Sequence, residues 1–182
     1  VLSLVILGGA MVFSLFQSYR SSEQERKAGL AQMNDNAVAI LKKYQGFEAA
    51  GTMSRDEAQA AAKAIISAMR YGGGSGYFWI NDMHPTMVMH PIKPELNGSD
   101  LTQNKDPNGK FLFVEFTNVV KAGGQGFVDY YWPKPGAAEP VEKYSHVIGF
   151  SPWGWIVGTG VYTDDLQAMF RQDAMKFAAM FA

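Results

Sequence analysis

The chain has 182 residues, a formal net charge of −1, and no cysteine. That length suits one domain with a tail or anchor rather than two full domains, and 47% hydrophobic residues are enough to build a real core. The near-neutral charge excludes a broad nucleic-acid surface, and the lack of thiols excludes disulfides, thiolate catalysis and zinc–thiolate sites.

The opening run VLSLVILGGAMVFSLF, Val1 to Phe16, carries no charge. A membrane span needs about 20 apolar residues and a signal-peptide core about 7–15. No small-residue cleavage site follows, and the run passes directly into the charged helical stretch QSYRSSEQERKAG. We therefore expect a truncated, uncleaved membrane anchor over 1–16, the alternative being a buried soluble helix. Beyond it, Leu30, Met33, Ala37, Ile40, Tyr44 and Phe47 recur at alternating three- and four-residue spacing. That spacing predicts one long helix to about Phe47, its seam packing on its own domain or on a second copy.

Gly51 breaks that pattern. Ser54 and Glu57 then form a capping-box signature, with Ala58, Ala61, Ile65 and Met69 as the expected buried stripe of a second helix. GGGSG, Gly72 to Gly76, reads as a turn and not a phosphate loop, because no Lys-Ser/Thr follows it. From Gly76 the pattern is β: GYFWIND, TMVMHP, GFVDYYWP, VEKYSHVIGF and WGWIVGTGVY predict five strands, with a helix over KFLFVEFTNVVKAGG ending at Gly123. TDDLQAMFRQDAMKFAAMFA predicts a closing helix whose last residues, 174–182, start a second span. The expected class is α+β: helices, a five-stranded antiparallel sheet, and a helix returning to the membrane. Residues 17–173 would be an extracytoplasmic sensor domain.

Strand alternation puts Tyr77 and Trp79 on one face and Phe78 and Ile80 on the other; it groups Val128, Tyr130 and Trp132 opposite Phe127, Asp129 and Tyr131. One face must pack on helices, and on the other, rings with polar tips suit a pocket wall as well as a plain core. Lys143 lies mid-strand in VEKYSHV. If covered, its ammonium needs an anion, from the protein or from a ligand; if uncovered, it is a solvated edge lysine. Arg70 offers either a bidentate grip on a carboxylate or a cap for its own helix. His84 and His90 lack a third ligand, which argues against a metal site. His146 falls off the Lys143–Ser145 face and is expected to serve packing. Gly158 and Gly160 permit close backbone approach, and Thr163 to Asp165 reads as the cap of the last helix.

The phrases GYFWIND, HP, NG before KDPNGK, GFVDYYWPKPG, K then HVIGF, and PWGWIVGTGVYTDD cover about Arg70 to Asp165. In that order and spacing the chain resembles the single-Cache sensor domains (Cache type 2) of bacterial chemoreceptors and sensor histidine kinases. The resemblance implies a PAS-like sheet packed on a long N-terminal helix, with a periplasmic pocket for a small molecule, often a short C2–C4 carboxylate. It makes Tyr130 and His90 pocket residues beside Lys143, Tyr77, Trp79, Trp132 and Arg70. It also implies a homodimer held in the inner membrane by its terminal helices, with no cofactor. The pattern departs at His146, where a tyrosine is expected, and this bears on ligand identity. The competing classes are a membrane-anchored protein-recognition module, in which the rings form an exposed patch, and a tethered hydrolase. The second lacks G-x-S-x-G, H-E-x-x-H and cysteine.

Overall fold

The computed structural model describes the backbone of residues 2–164 and the side chains of 24–164. The expected second span at 174–182 and the side chains of the expected anchor at 1–16 lie outside the described residues. Among the described residues no helix is long and apolar enough to cross a membrane.

Helix α1, Leu2–Ala49, runs into a turn at Gly51, whose φ of 70° suits glycine. Helix α2, Arg55–Ala68, begins at the expected capping box. The Glu57 amide donates to Ser54 Oγ at 3.3 Å, while the Ser54 amide and hydroxyl each donate to Glu57 Oε2 at 2.8 Å, which lowers the Glu57 pKa. The sheet comprises β1 (Arg70–Tyr71), β2 (Gly76–Asp82), β3 (Met87–Met89), β4 (Gln125–Pro133), β5 (Pro140–Phe150) and β6 (Trp155–Tyr162). Helix α3, Leu112–Gly123, precedes β4 and ends at a left-handed Gly124. The sheet order is β1-β2-β6-β5-β4, with β3 on the free side of β2, and every described pairing is antiparallel. The five expected strands are all present. The sixth, two-residue β1 is a short return across the glycine turn, too brief to leave a periodic signal.

Both faces of the sheet are covered, so its central strands are buried throughout instead of alternating between apolar and polar. In β2 every residue from Gly76 to Asn81 is buried, and the alternation separates two kinds of core. Phe78, Ile80, Val157 and Phe150 pack with Ala37, Val38 and Leu41 of α1 and with Ala58, Ala62 and Ile66 of α2. Tyr77, Trp79, Val128, Tyr130, Trp132 and Val147 pack with Leu112, Phe113, Phe116 and Val120 of α3.

Two helix faces differ from expectation by about one position. In α2 the buried stripe is Ala58, Ala62 and Ile66, while Ile65 is 42% exposed. An alanine-rich helix carries little information about its phase, and a step of one residue turns it by about 100°. In α1 the buried stripe is Leu30, Asn34, Ala37, Val38 and Leu41, whereas Phe47 is exposed. Asn34 is fully buried, and its Nδ2–H group donates to the carbonyls of His146 at 2.8 Å and Val157 at 3.1 Å. One amide thus bridges β5 and β6 to the long helix. It also lies 3.1 Å from His146 Nδ1, and burial lowers the His146 pKa. His146 therefore belongs to the helix face, where its ring meets Phe127.

Asn34→Ala should lower stability by about 1–3 kcal/mol, because it removes a buried donor shared between two strands. Urea denaturation checks this; an unchanged midpoint would show that the amide does not hold the helix to the sheet.

Candidate functional site

On the face opposite α1, a cavity is lined by Tyr77 and Trp79 of β2, His90 just beyond β3, Leu112, Phe113 and Phe116 of α3, and Tyr130 and Trp132 of β4. Its empty volume is about 170 Å³, including the mouth. Inside the mouth the side chains leave room for little more than one water, so a ligand of several heavy atoms enters only as the surrounding rings move apart.

Glycine shapes the floor. A Cβ at Gly158 would lie 2.1 Å from the Trp79 ring, and one at Gly160 would lie 2.0 Å from Ser145 Oγ. Their absence on β6 lets Trp79 lie flat across the neighbouring strand and lets Ser145 approach it. The Trp79 indole N–H is satisfied by Asn81 Oδ1 at 3.1 Å, which makes Trp79 a wall. Phe116 completes the roof, with ring centroids 5.3 Å from Trp79 and 5.2 Å from Tyr130.

The local sequence also fixes His90. Its amide donates to Asn97 Oδ1 at 2.8 Å, and its Nδ1 accepts from the amides of Ile92 and Lys93 at 3.2 and 2.9 Å. Positive φ at Gly98 returns the chain to β3. With Nδ1 accepting, the ring proton sits on Nε2, so His90 presents a neutral N–H donor. Burial, with Lys143, Lys93 and Arg70 nearby, lowers its pKa to about 3. The next loop is tied down by Asp106, which accepts from the amides of Asn108 and Lys110 at 2.9 Å and of Tyr131 at 3.1 Å. Those bonds fix the approach to α3, and hence the cavity roof, against β4.

Lys143 is the most unusual residue of this face. Its side chain is fully buried, and its Nζ has no hydrogen-bond partner. It lies 3.9 Å from the Tyr77 ring centroid, 4.9 Å from that of Tyr162 and 5.3 Å from that of Trp79. Cross-strand pairing makes this inevitable, since Lys143 stands opposite Tyr130 of β4 and Tyr162 of β6. Ring faces attract a cation but satisfy none of its N–H bonds. Burial therefore pulls the amine well below the ordinary lysine pKa. The neighbouring phenols are also shifted: burial raises Tyr77 and Tyr130, and the Tyr130 hydroxyl lies 3.0 Å from Ser145 Oγ. No residue lining the cavity is acidic.

Of the residues singled out from sequence, Tyr77, Trp79, His90, Tyr130 and Trp132 line the cavity, and Lys143 packs immediately behind Tyr77. Arg70 is not among the lining residues. It is exposed, and its Nη1 donates to the carbonyls of Ser67 and Met69 at 2.7 Å, closing the end of α2. Free carbonyls one turn away offered nearer acceptors than the cavity did. The α3 roof was missed, although the burial pattern of Leu112, Phe113, Phe116 and Val120 is a helical face that sequence alone displays. Tyr162 was missed too; its hydroxyl donates to the Pro133 carbonyl at 2.8 Å, setting the ring under Lys143. The rings form no exposed patch. Among the described residues, the exposed large hydrophobics are Phe47 and Ile65, both on helices. His146, the departure from the expected tyrosine, points away from the cavity and meets α1, so it bears on packing there. Thr163 donates to Glu142 Oε2 at 3.0 Å, tying the exit from β6 to β5. Asp165 lies outside the described residues.

An antiparallel sheet with one face on a long helix and, on the other, a ring-lined cavity beside a buried lysine defines a sensor module of the PAS-like kind. The chain belongs to the Single Cache domain 2 family, which it matches over residues 22–175. It is 44% identical over 172 residues to the methyl-accepting chemotaxis protein McpP of Pseudomonas putida, covering 94% of this chain and 31% of that protein. It is 35% identical over 157 residues to the sensor histidine kinase MctS of Rhizobium johnstonii, covering 86% of this chain and 32% of the kinase. The chain thus spans about a third of these curated relatives. Among solved structures, a Cache chemosensory domain studied for its recognition of carboxylic acids superposes with a TM-score of 0.76 at 47% identity, covering 79% of this chain and 97% of that one. A methyl-accepting chemotaxis protein from Vibrio parahaemolyticus superposes with a TM-score of 0.71 at 30% identity, over 84% of this chain and 98% of that one.

Replacing Lys143 by methionine should stabilise the ligand-free protein, by about 1–4 kcal/mol if it behaves like other buried ions replaced by apolar residues of similar volume. The sign of the pH dependence follows from the lowered pKa. Between the folded and unfolded pKa values the unfolded chain binds more protons, so wild-type stability rises with pH there. The advantage of Lys143→Met should therefore be full below the folded pKa and fade as pH climbs to the ordinary lysine value. Thermal melts across pH check this; a less stable methionine variant would show that the buried amine is already satisfied.

Proposed function

We propose that this chain is the periplasmic ligand-binding domain of a bacterial chemoreceptor, and that its cavity takes a short C2–C4 carboxylate. The observation that carries the reading is the buried, unpartnered Lys143 amino group beside a cavity with no acidic lining. A carboxylate pairs with that amino group in its protonated form and also accepts from the His90 Nε2–H and nearby phenols. The apolar roof of Leu112, Phe113 and Phe116 suits a short hydrocarbon tail. Lys143 lies behind the Tyr77 ring, so direct contact requires a small shift of that ring. The carboxylic acid recognition studied in the similar Cache domain supports the same ligand class.

In this reading the domain performs no chemistry, needs no cofactor and works as a homodimer. The 1–16 segment and the chain beyond 173 anchor it in the inner membrane, and binding biases the terminal helices between two arrangements. A ligand that prefers one arrangement ~100-fold supplies about 2.7 kcal/mol for that bias. A sensor histidine kinase is the second reading for the output, favoured by the similarity to MctS.

A thermal-shift series with acetate, propionate, pyruvate, lactate and butyrate tests the proposal. A bound acid at 100 times its Kd should add about 2.7 kcal/mol, and so raise the melting temperature by about 5–10 °C. Lys143→Ala should lose the response, and Tyr130→Phe should weaken binding by about tenfold, the cost of one buried hydrogen bond. A response that survives Lys143→Ala would displace the anchor, and no response to any acid would exclude the ligand class.

A further inference from the structure

The state in which Lys143 waits for its ligand is the feature that reaches furthest. Its Nζ is enclosed by Tyr77 and Trp79 from β2 and Tyr162 from β6, with Tyr130 opposite it on β4. His90 faces the same space from beyond β3, neutral and offering a donor; α3 contributes only Leu112, Phe113 and Phe116 to the cavity, none of them titratable. Of the charged groups around this space, Lys93 and Arg70 act on His90, and the Lys134–Asp164 ion pair of 2.9 Å places its lysine over the Tyr162 ring. No carboxylate contributes to the shift of Lys143, which burial alone explains. Among the described residues the surroundings thus supply ring faces and hydroxyls, but no acceptor bonded to Lys143 Nζ and no carboxylate acting on it.

We propose that Lys143 takes up a proton as the carboxylate enters, so that the domain senses the anion and a proton together. This inference rests on the carboxylate reading above. A neutral amine, a carboxylate and one proton from solvent become an ammonium–carboxylate pair, which is equivalent to binding the undissociated acid. The ring faces alone cannot hold the charge, and the incoming oxygens provide what is missing. The physiological consequence is direct: at equal total concentration, the same acid is a stronger stimulus in acidic surroundings than in alkaline ones.

Calorimetry of propionate binding in phosphate and in Tris, whose heats of ionisation differ, reads the proton count. Between about pH 6 and about pH 9 the ligand and His90 keep their charge state, so uptake should rise toward one proton per site and the Kd should weaken by up to tenfold per pH unit. Lys143→Arg, permanently charged, should bind without uptake. Carbon NMR of the lysine Cε groups gives a second readout that needs no variant. The Lys143 signal should move from the amine to the ammonium position when propionate is added. Tight binding with no proton uptake, uptake that persists in Lys143→Arg, or an ammonium signal in the free protein would each overturn the inference while leaving the carboxylate site intact. Failure of every acid to bind would overturn the carboxylate reading and this inference with it.

Discussion

A primary amine that is fully buried, without an acceptor, and flanked by three aromatic rings is a costly group to fold around. Much of the surrounding structure reads as a consequence of keeping it so. Trp79 and Tyr162 are rigid because their polar tips are satisfied by Asn81 and Pro133. Burial keeps His90 neutral, and two backbone amides that donate to its Nδ1 leave the ring proton on Nε2. Gly158 and Gly160 leave the space over β6 that Trp79 and Ser145 fill. Among the described residues, three buried side-chain atoms lack partners, Asn34 Oδ1, Asn104 Oδ1 and Lys143 Nζ, and only the last belongs to an ionisable group. Polar groups left unsatisfied in an otherwise well-bonded core are expected where a ligand completes them.

The same strand that carries Lys143 also reaches the long helix. Lys143 and Ser145 point into the cavity face, while the carbonyl of His146 accepts from Asn34 on α1. Any displacement of β5 would therefore reach α1 through one buried amide and the packing of Ala37, Val38 and Leu41. The cavity and α1 lie on opposite faces of one sheet, so no long relay separates them. What sets the size of any response is the difference in ligand affinity between the two arrangements.

Much of this was legible in the sequence. Strand alternation separated Tyr77 and Trp79 from Phe78 and Ile80 without ambiguity, because a period of two leaves only two faces. Lys143 stood out as a charge inside an apolar strand, and the capping box at Ser54 fixed the start of α2. Helix phase was harder to read, since stripes one residue apart are both plausible in alanine-rich segments, as Ile65 and Ile66 show. Long-range side-chain choices were hidden as well. Arg70 had two credible partners, and only the fold revealed that the Ser67 and Met69 carbonyls were nearer. Asn34 went unmarked, because nothing local announces a buried amide whose partners lie more than a hundred residues away.

The most direct test of the central claim is a crystal structure of the domain grown with a short carboxylic acid. The account predicts the acid in the cavity between β2, β4 and α3, with a carboxylate oxygen about 2.7–2.9 Å from Lys143 Nζ, as for a charge-assisted bond, and its carbon chain toward Phe116. An acid bound in that cavity with its carboxylate turned away from Lys143, or bound elsewhere on the domain, would contradict it.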